Sequence, residues 1–353
     1  MTGKSSKNWS RRRFLGAAAL SAVSAGRAHS IQAAVGQQQF VRIGTGPASG
    51  TYFPFGGVLA TAISNPPGTR ECLRGGICGV PGLIAVTYSS EGSVSNVESL
   101  ALGGAESALC QADIAHWASS GQGPLAGRDL LGGVMSITSL YEEAIHIVVA
   151  ANRGIWKIAD LKGKRVSIDL PGSGTNVEAR LILKAHDLEP EDLELFELPP
   201  GESADRLAEE EIDGFFLVSG TPATAIRQLA EDHQITLLPV SGEAAAALRA
   251  QNPFLSEATI SAGTYFNVPF VRTLSVRALW LVSERLPEDL VHAMTEAFWD
   301  PRIQKLIGLG HHQGSELDTQ AALKGTAETP LHPGAQRYYQ ENGLTLINPP
   351  RLG

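Results

Sequence analysis

The feature that most constrains this chain is a repeated order of elements: a short buried strand, a turn rich in glycine and hydroxyl residues, then a helix. In the first unit Phe40–Ile43 is the strand, and Phe55, Val58, Leu59 and Ala62 lie at the spacing of one apolar helix face. The same order recurs in three later segments, residues 83–101, 166–182 and 214–222. This alternation predicts an α/β fold with a mainly parallel sheet flanked by helices.

The length of 353 residues predicts about two domains. Apolar residues make up 43% of the chain, which excludes a disordered protein. No internal repeat and no low-complexity linker divides the sequence. A body of two lobes, between which the chain crosses more than once, would explain why no linker is visible. Two further long apolar segments, residues 144–151 and 274–282, are predicted as strands.

The first thirty residues are predicted to be an export signal. Arg11 and Arg12, followed by Phe14 and Leu15, resemble the bacterial twin-arginine motif, and an apolar run of about ten residues follows. A membrane-spanning helix needs about 20 apolar residues, so the run is typical of a signal peptide with cleavage within residues 28–34. The alternative is an ordinary basic tail. The signal predicts a soluble protein in the periplasm.

The charge distribution argues against nucleic acid as a partner. Residues 1–30 carry six Lys or Arg and no acid, so removing them from the formal net charge of −8 leaves −14. A body this acidic is repelled by phosphate backbones and by anionic membranes. It also gives no long-range attraction for an anionic ligand.

The cysteines favour one disulfide. Cys72 and Cys78 are separated by five residues that include Gly75 and Gly76, and an oxidising compartment favours the bond. Two free thiols are the alternative. Zinc is disfavoured because no second Cys or His pair lies nearby. Cys110 is predicted to be a buried strand residue.

Polar turns at the carboxyl ends of the predicted strands are the candidate binding residues. Open α/β sheets bind ligands at this edge, and each helix N-terminus offers free N–H groups to an anion. For any single turn, plain helix capping by Ser, Thr or Asn is the alternative. Four such turns in one chain favour a shared cleft. Their residues are Ser49, Gly50, Thr51 and Tyr52; Ser93 and Asn96; Ser173, Gly174, Thr175 and Asn176; and Gly220 and Thr221.

Motifs for catalysis and cofactor binding are missing. The segment from Gly44 to Gly50 misses the dinucleotide fingerprint, the turn at Gly172 lacks the lysine of a phosphate-binding loop, and no Gly-x-Ser-x-Gly motif occurs. No metal-ligand spacing is present either, so His311 and His312 are interpreted as surface residues. His146 is interpreted as a strand residue. The Tyr-Glu-Glu segment at residues 141–143 is interpreted as a solvated turn. We therefore expect neither an enzyme, nor a metal, nor a cofactor.

Several segments in order resemble the TAXI family, the immunogenic-protein branch of the solute receptors of TRAP transporters. Together they extend over roughly residues 40–345. The matching segments are residues 43–46, 52–54, 78–83, 92–97, 111–113, 139–141, 160–166, 172–175 and 331–335. The resemblance implies a periplasmic binding protein-like fold of type II, with two α/β lobes closing on a ligand. We expect lobe I at residues 40–143 plus 270–353 and lobe II at residues 144–269.

The resemblance also implies a function and additional ligand contacts. Similar receptors bind a small organic anion or amino acid, such as glutamate or 2-oxoglutarate, and deliver it to an ion-gradient-driven TRAP permease. It adds Thr45, Gln111 and Asp113 to the candidate binding residues. The chain departs from the family's glycine-rich pattern at residues 47–49, which affects the expected ligand identity. We expect a monomer.

Two other functions remain open at this point. One is a periplasmic sensor that signals ligand occupancy to a membrane kinase. The other is a periplasmic enzyme that uses Asp113 or Glu142 as an acid.

Overall fold

Eight strands are each followed directly by an α-helix, in a computed structural model that describes residues 38–70, 72, 78–128, 130, 133–326 and 329–344. The predicted signal peptide and its cleavage site lie outside these residues. Within them, no helix is both long enough and apolar enough to cross a membrane. The described residues belong to one compact unit.

The structure contains twelve strands and ten α-helices in its described part, numbered here in chain order. The strands are β1 (Gln39–Gly44), β2 (Ser64–Asn65), β3 (Val80–Pro81), β4 (Leu83–Tyr88), β5 (Ser107–Gln111), β6 (Val134–Ala150), β7 (Arg165–Ser167), β8 (Glu194–Phe196), β9 (Gly214–Ser219), β10 (Ile235–Leu237), β11 (Ser256–Ile260) and β12 (Val271–Ser283). The helices are α1 (Tyr52–Ile63), α2 (Ser93–Ala101), α3 (Ala112–Ser120), α4 (Gly174–Ala185), α5 (Pro200–Ala208), α6 (Thr224–Asp232), α7 (Gly242–Gln251), α8 (Glu288–Trp299), α9 (Pro301–Gly310) and α10 (Pro333–Glu341).

Ten of the strands form one mixed sheet in the order β4-β1-β5-β12-β6-β9-β7-β8, with β10 on β6 and β11 on β12. Two groups of parallel strands lie at its ends. We call β1, β4 and β5 with helices α1 to α3 the β1 half. We call β7, β8 and β9 with helices α4 to α6 the β7 half. Parallel pairing within each group, with helices after the strands, confirms the predicted α/β class.

Two long antiparallel strands join the halves. Strand β6 has 17 residues and pairs first with β12 and then with β9, while β12, with 13 residues, pairs with β5 and β6. The chain therefore crosses between the halves more than once, as expected, but the result is one continuous sheet. Strand β6 begins ten residues earlier than predicted, so Tyr141–Glu143 is strand and not a solvated turn. Both Tyr141 and Glu143 are buried, because β12 pairs along this stretch and side chains of α1 pack against it.

The apolar core lies against the sheet in three clusters. One is shared by both halves and joins Ile114 and Trp117 of α3 to Ile182 of α4. A second lies under the β1 half and includes Trp280 and Phe298, and the third lies under the β7 half. The shared cluster shows that the two halves are packed together in this structure. The predicted Cys72–Cys78 disulfide is present, with the two Cα atoms 4.7 Å apart, and Cys110 is buried in β5.

Candidate functional site

A small cavity lies between the two halves, where the carboxyl ends of their parallel strands meet. All six parallel strands contribute wall residues just before or beyond their ends, the position at which open α/β sheets bind ligands. The cavity volume is about 50 Å³, which accommodates at most a few water molecules. Any larger ligand requires the halves to separate before it enters.

Four helices begin at this cavity. Their first residues, Tyr52 of α1, Ser93 of α2, Gly174 of α4 and Pro200 of α5, all line the wall. The dipole of each helix places partial positive charge at its N-terminus, which attracts an anion. Helices α1, α2 and α4 also offer N–H groups of their first turn, whereas α5 begins with a proline and its Gly201 N–H already donates to Ser49 Oγ. Two of the helices belong to each half, so an anion in the cavity would contact helix N-termini of both halves.

Carboxyl groups also line the cavity, which the sequence did not predict. They are Glu91, Glu143 and Asp169, and no Lys, Arg or His is among the described wall residues. Burial raises the pKa of Glu143 to about 8, against a hydrogen bond from the Tyr52 hydroxyl to its Oε2 at 2.6 Å. Burial likewise raises the pKa of Asp169 to about 7. A ligand cation beside these groups would favour their ionised forms.

The backbone of Asp169 is unusual. Its φ is +69°, in the left-handed region that costs a non-glycine residue about 1–2 kcal/mol. Its Oδ1 accepts a hydrogen bond from the N–H of Leu170, and its carbonyl accepts one from Asn176 Nδ2. These contacts hold the carboxyl at the cavity wall, and strained residues of this kind are concentrated at binding sites.

A second group of polar side chains extends from the wall, where Gln111 lies, into the boundary between the halves behind it. We call Gln111, Asp113 and Glu178 the seam cluster. Gln111 Nε2 donates to Glu178 Oε2 at 3.2 Å, while Gln111 Oε1, both oxygens of Asp113 and Glu178 Oε1 are buried without a hydrogen-bond partner. Burial raises the pKa of Asp113 to about 7, and burial followed by the charges of Asp113 and Glu143 raises that of Glu178 strongly.

The sequence-predicted binding residues divide into two sets. Eight of the fifteen line the cavity: Gly50, Thr51, Tyr52, Ser93, Gln111, Ser173, Gly174 and Thr175. The other seven, which do not line it, are Thr45, Ser49, Asn96, Asp113, Asn176, Gly220 and Thr221. Most of the seven have structural contacts instead. Asn96 Nδ2 donates to the carbonyls of Thr45 and Leu109, and Gln313 Nε2 donates to the Thr221 carbonyl.

Several of the polar turns bind each other across the boundary. The Gly201 N–H donates to Ser49 Oγ at 3.0 Å, and the hydroxyls of Thr51 and Ser219 lie 2.5 Å apart. The Gly172 N–H donates to Glu91 Oε2 at 2.9 Å. Together with the bond from Gln111 to Glu178, these contacts close the cavity. Residues predicted to contact a ligand therefore also connect the two halves.

The hydroxyls that line the cavity are already engaged within the protein. Ser173 Oγ accepts from the Asn176 N–H and caps α4, so the capping alternative holds for this residue. Ser93 Oγ accepts from the Gln111 N–H, and Thr175 Oγ1 accepts from the Val218 N–H. Side-chain hydroxyls therefore shape the wall, while helix N–H groups and carboxyls are its main chemical groups.

Ten of the described wall residues were not predicted from the sequence, and the three with charged side chains are the acids Glu91, Glu143 and Asp169. Glu143 lies in the part of β6 that resembled a turn, and Asp169 follows the short strand β7. Nothing local marks either as buried, because burial comes from strands distant in sequence. The left-handed backbone of Asp169 is not visible in the sequence either. The one available signal was Asp169 at a predicted strand end, next to a Gly- and Ser-rich turn.

The residues considered for catalysis do not form one site. Glu142 is exposed on β6, with Arg277 Nη1 3.8 Å from its Oε1, whereas Asp113 is fully buried and outside the cavity wall. His146 is a buried strand residue, as interpreted. His311 is half-buried with its ring against Phe55, not on the surface, because α1 packs over it. The described residues contain no group of three or more His, Cys, Asp or Glu side chains placed to hold a metal.

Comparison with known proteins identifies the family. Residues 43–343 match the model of the NMT1-like family, and the chain belongs to that family. This match includes both halves and every residue of the cavity wall.

Solved structures with similar folds are more distant. The alkanesulfonate-binding protein SsuA from Xanthomonas axonopodis pv. citri, bound to MOPS, is 17% identical over 87% of this chain and 91% of that chain, with a TM-score of 0.44. A putative L-cystine ABC transporter from Listeria monocytogenes is 13% identical over 80% of this chain and 99% of that chain, with a TM-score of 0.47. Both TM-scores are below 0.5.

Proposed function

We propose that this chain is an extracytoplasmic solute-binding receptor that encloses a small amino acid between the β1 half and the β7 half. The observation that carries the proposal is the cavity itself. Four helix N-termini and two buried carboxyls, Glu143 and Asp169, surround one enclosed space at the carboxyl ends of parallel strands from both halves. Such a site binds by closure of the halves and needs no catalytic group.

The two kinds of wall group suit the two ends of an amino acid. The helix N-termini provide N–H donors for the ligand carboxylate. Glu143 and Asp169, without a basic side chain beside them in the described wall, provide acceptors for an ammonium group. A dicarboxylate without an amine, such as 2-oxoglutarate, would leave these acids unpaired. We therefore favour an amino acid over the corresponding oxo acid as the ligand.

The partner proposal rests on the sequence. The TAXI-type segments favour delivery of the ligand to the membrane subunits of a TRAP-type permease, and the twin-arginine motif favours the periplasm. In this proposal the chain is a binding protein, not an enzyme, and the two halves correspond to two lobes.

The first experiment compares matched ligand pairs by isothermal titration calorimetry. The chain is unfolded and refolded to remove bound ligand, then titrated with glutamate and 2-oxoglutarate, and with alanine and pyruvate. The members of each pair differ only in an amine or an oxo group. We expect the bound amino acid to bind at least tenfold more tightly than its oxo acid. Equal binding within a pair would reject the ammonium site, and no binding across a wide amino acid panel would reject the receptor.

The matched variant is Glu143→Gln, which keeps the shape of the side chain and removes its charge. A hydrogen bond to a charged group contributes about 1.5–3 kcal/mol, so we expect affinity for the amino acid to fall about tenfold to a hundredfold. Binding of any oxo acid should change much less. Glu98→Gln, at an exposed carboxyl paired with Arg128, is the control and should leave both affinities unchanged.

A further inference from the structure

The seam cluster contains four of the ten buried side-chain atoms that have no hydrogen-bond partner in the described part of the structure. It joins Gln111 and Asp113, at the end of β5 and the start of α3, to Glu178 in the second turn of α4. Four of its oxygens, Gln111 Oε1, Asp113 Oδ1 and Oδ2, and Glu178 Oε1, are buried without a donor. A buried acceptor without a donor costs about 1–3 kcal/mol, and more when it is charged. If both carboxyl groups of the cluster were ionised, these four oxygens would have no hydrogen-bond donor.

The unpartnered Gln111 oxygen is a separate indication that a proton donor belongs here. The Gln111 side chain is 97% buried and its amide nitrogen already donates to Glu178. Its own oxygen, in the same amide head, has no donor. A neutral amide does not repel an incoming donor and gains nothing from staying unpaired.

The groups facing the cluster provide no counter-charge. Among the described residues, those on β5, β6 and α1 are acids or neutral groups, and the basic side chain of Arg277 on β12 makes its hydrogen bonds elsewhere. The Arg277 guanidinium donates to Ser139 Oγ and to the Leu140 carbonyl. The acidic and neutral groups are Cys110 of β5, Glu143 of β6 and Tyr52 of α1. Two ionised carboxylates at this boundary would repel each other and push the halves apart.

We propose that Asp113 and Glu178 share one proton across the boundary between the β1 half and the β7 half, and that this proton is required for the halves to stay together. It bonds to one carboxylate oxygen, and the resulting O–H donates to a partner oxygen that lacks a donor. The proton is taken from solvent when the halves close and returns to solvent when they part. The raised pKa of Asp113, about 7, agrees with this arrangement.

For the receptor proposed above, and resting on that function, the shared proton makes capture tighter in acid and release easier in base. The Kd would rise up to about tenfold per pH unit for each proton taken up on closure. The tests of the proton itself use no ligand. Their failure is therefore distinct from failure of the proposed function.

The direct test is infrared spectroscopy of the ligand-free chain at pH 7, where a protonated carboxyl has its own carbonyl absorption. Glu143 and Asp169 contribute to this band, so the test compares variants. Asp113→Asn and Glu178→Gln should each remove about one carboxyl's share of the band, because the introduced amide supplies the donor and the remaining carboxylate ionises. Glu98→Gln should leave the band unchanged. An unchanged band in both seam variants, as expected for a bound cation or for two ionised carboxylates, would overturn the proposal.

The second test follows closure by small-angle X-ray scattering between pH 5 and pH 9. We expect the radius of gyration of the unaltered chain to increase as the shared proton is lost, and to stay constant in Asp113→Asn and Glu178→Gln. Far-UV circular dichroism at each pH verifies that the variants are folded. The same increase in the variants as in the unaltered chain, or no increase in either, would reject the requirement for the proton.

Discussion

Two buried polar clusters in this protein differ in how completely they are satisfied. Around His146, every hydrogen bond is made. Nδ1 donates to the Leu217 carbonyl at 3.2 Å, Nε2 accepts from the Tyr265 hydroxyl at 2.8 Å, and that hydroxyl accepts from the Ala223 N–H at 2.9 Å. In the seam cluster, four oxygens have no donor.

The difference follows the architecture. The contacts of His146 lie among β6, β9 and the segments beside α6 and β11, so the cluster belongs to one packed region. The seam cluster connects the β1 half to the β7 half. A buried polar group inside one packed region can be satisfied permanently, and burial lowers the pKa of His146 to about 4, so its ring stays neutral. A polar group at a boundary that opens must also be hydrated when the halves are apart. Some of its hydrogen bonds are therefore missing when the halves are closed.

The largest effect should come from the satisfied cluster. Tyr265→Phe deletes the hydroxyl and leaves both His146 Nε2 and the Ala223 N–H buried without a partner. Each such loss costs about 1–3 kcal/mol, so the free energy of unfolding should fall by about 2–6 kcal/mol. Urea unfolding followed by tryptophan fluorescence measures it. A change below 1 kcal/mol would show that water replaces the hydroxyl, and that the two clusters are less different than described.

The pH dependence of stability should distinguish the seam. Asp113 has a raised pKa in the folded state, so its contribution to stability is fully present below its unfolded pKa near 4 and is lost as pH rises toward about 7. Asp113→Asn should make the stability curve flatter over this window, by up to about 1.4 kcal/mol per pH unit. Urea unfolding from pH 4 to pH 8 measures the slopes. Slopes identical to those of the unaltered chain would contradict the assignment, and Glu98→Gln provides the reference.

The smallest effect should come from a single bond across the boundary. Thr51→Val removes the hydroxyl that lies 2.5 Å from Ser219 Oγ, at a cost of about 0.5–1.5 kcal/mol. Thr61→Val is the matched control, because its hydroxyl bonds to the Gly57 carbonyl within α1. We expect similar losses of stability in both but a larger radius of gyration only in Thr51→Val. Equal scattering profiles would show that this bond does not hold the halves together.

The local elements were accessible from the sequence. Strand β4 begins at residue 83, where the predicted unit of residues 83–101 begins, and Cys110, predicted as a buried strand residue, lies in β5. The cavity edge was predicted too, since eight of its wall residues lie in the predicted turns or in segments carried by the resemblance. These features depend on residues close together in the chain.

The acids were not accessible, because their burial depends on pairing between distant segments. Glu143 stands opposite Val276 of β12, and the sequence around it looks like a charged turn. Ser173 was predicted as a ligand contact, with helix capping as the alternative. The structure shows that it caps α4, so Ser173→Ala should cost about 1 kcal/mol of stability in addition to any loss of binding.

The position of β12 in the sheet also determines the order in which the protein can be assembled. Gln111 of β5 pairs with Ala278, so the centre of the sheet cannot be completed until residue 283 has left the ribosome. The parallel strands of each half come from one contiguous stretch, residues 39–111 and 165–219, and can pair with one another earlier. The junction between the halves waits for β12, which lies between β5 and β6 and is made much later. Contacts this distant in sequence make folding slow. An export route that carries finished proteins, as the twin-arginine motif predicts, would give such a chain the time to complete its sheet in the cytoplasm.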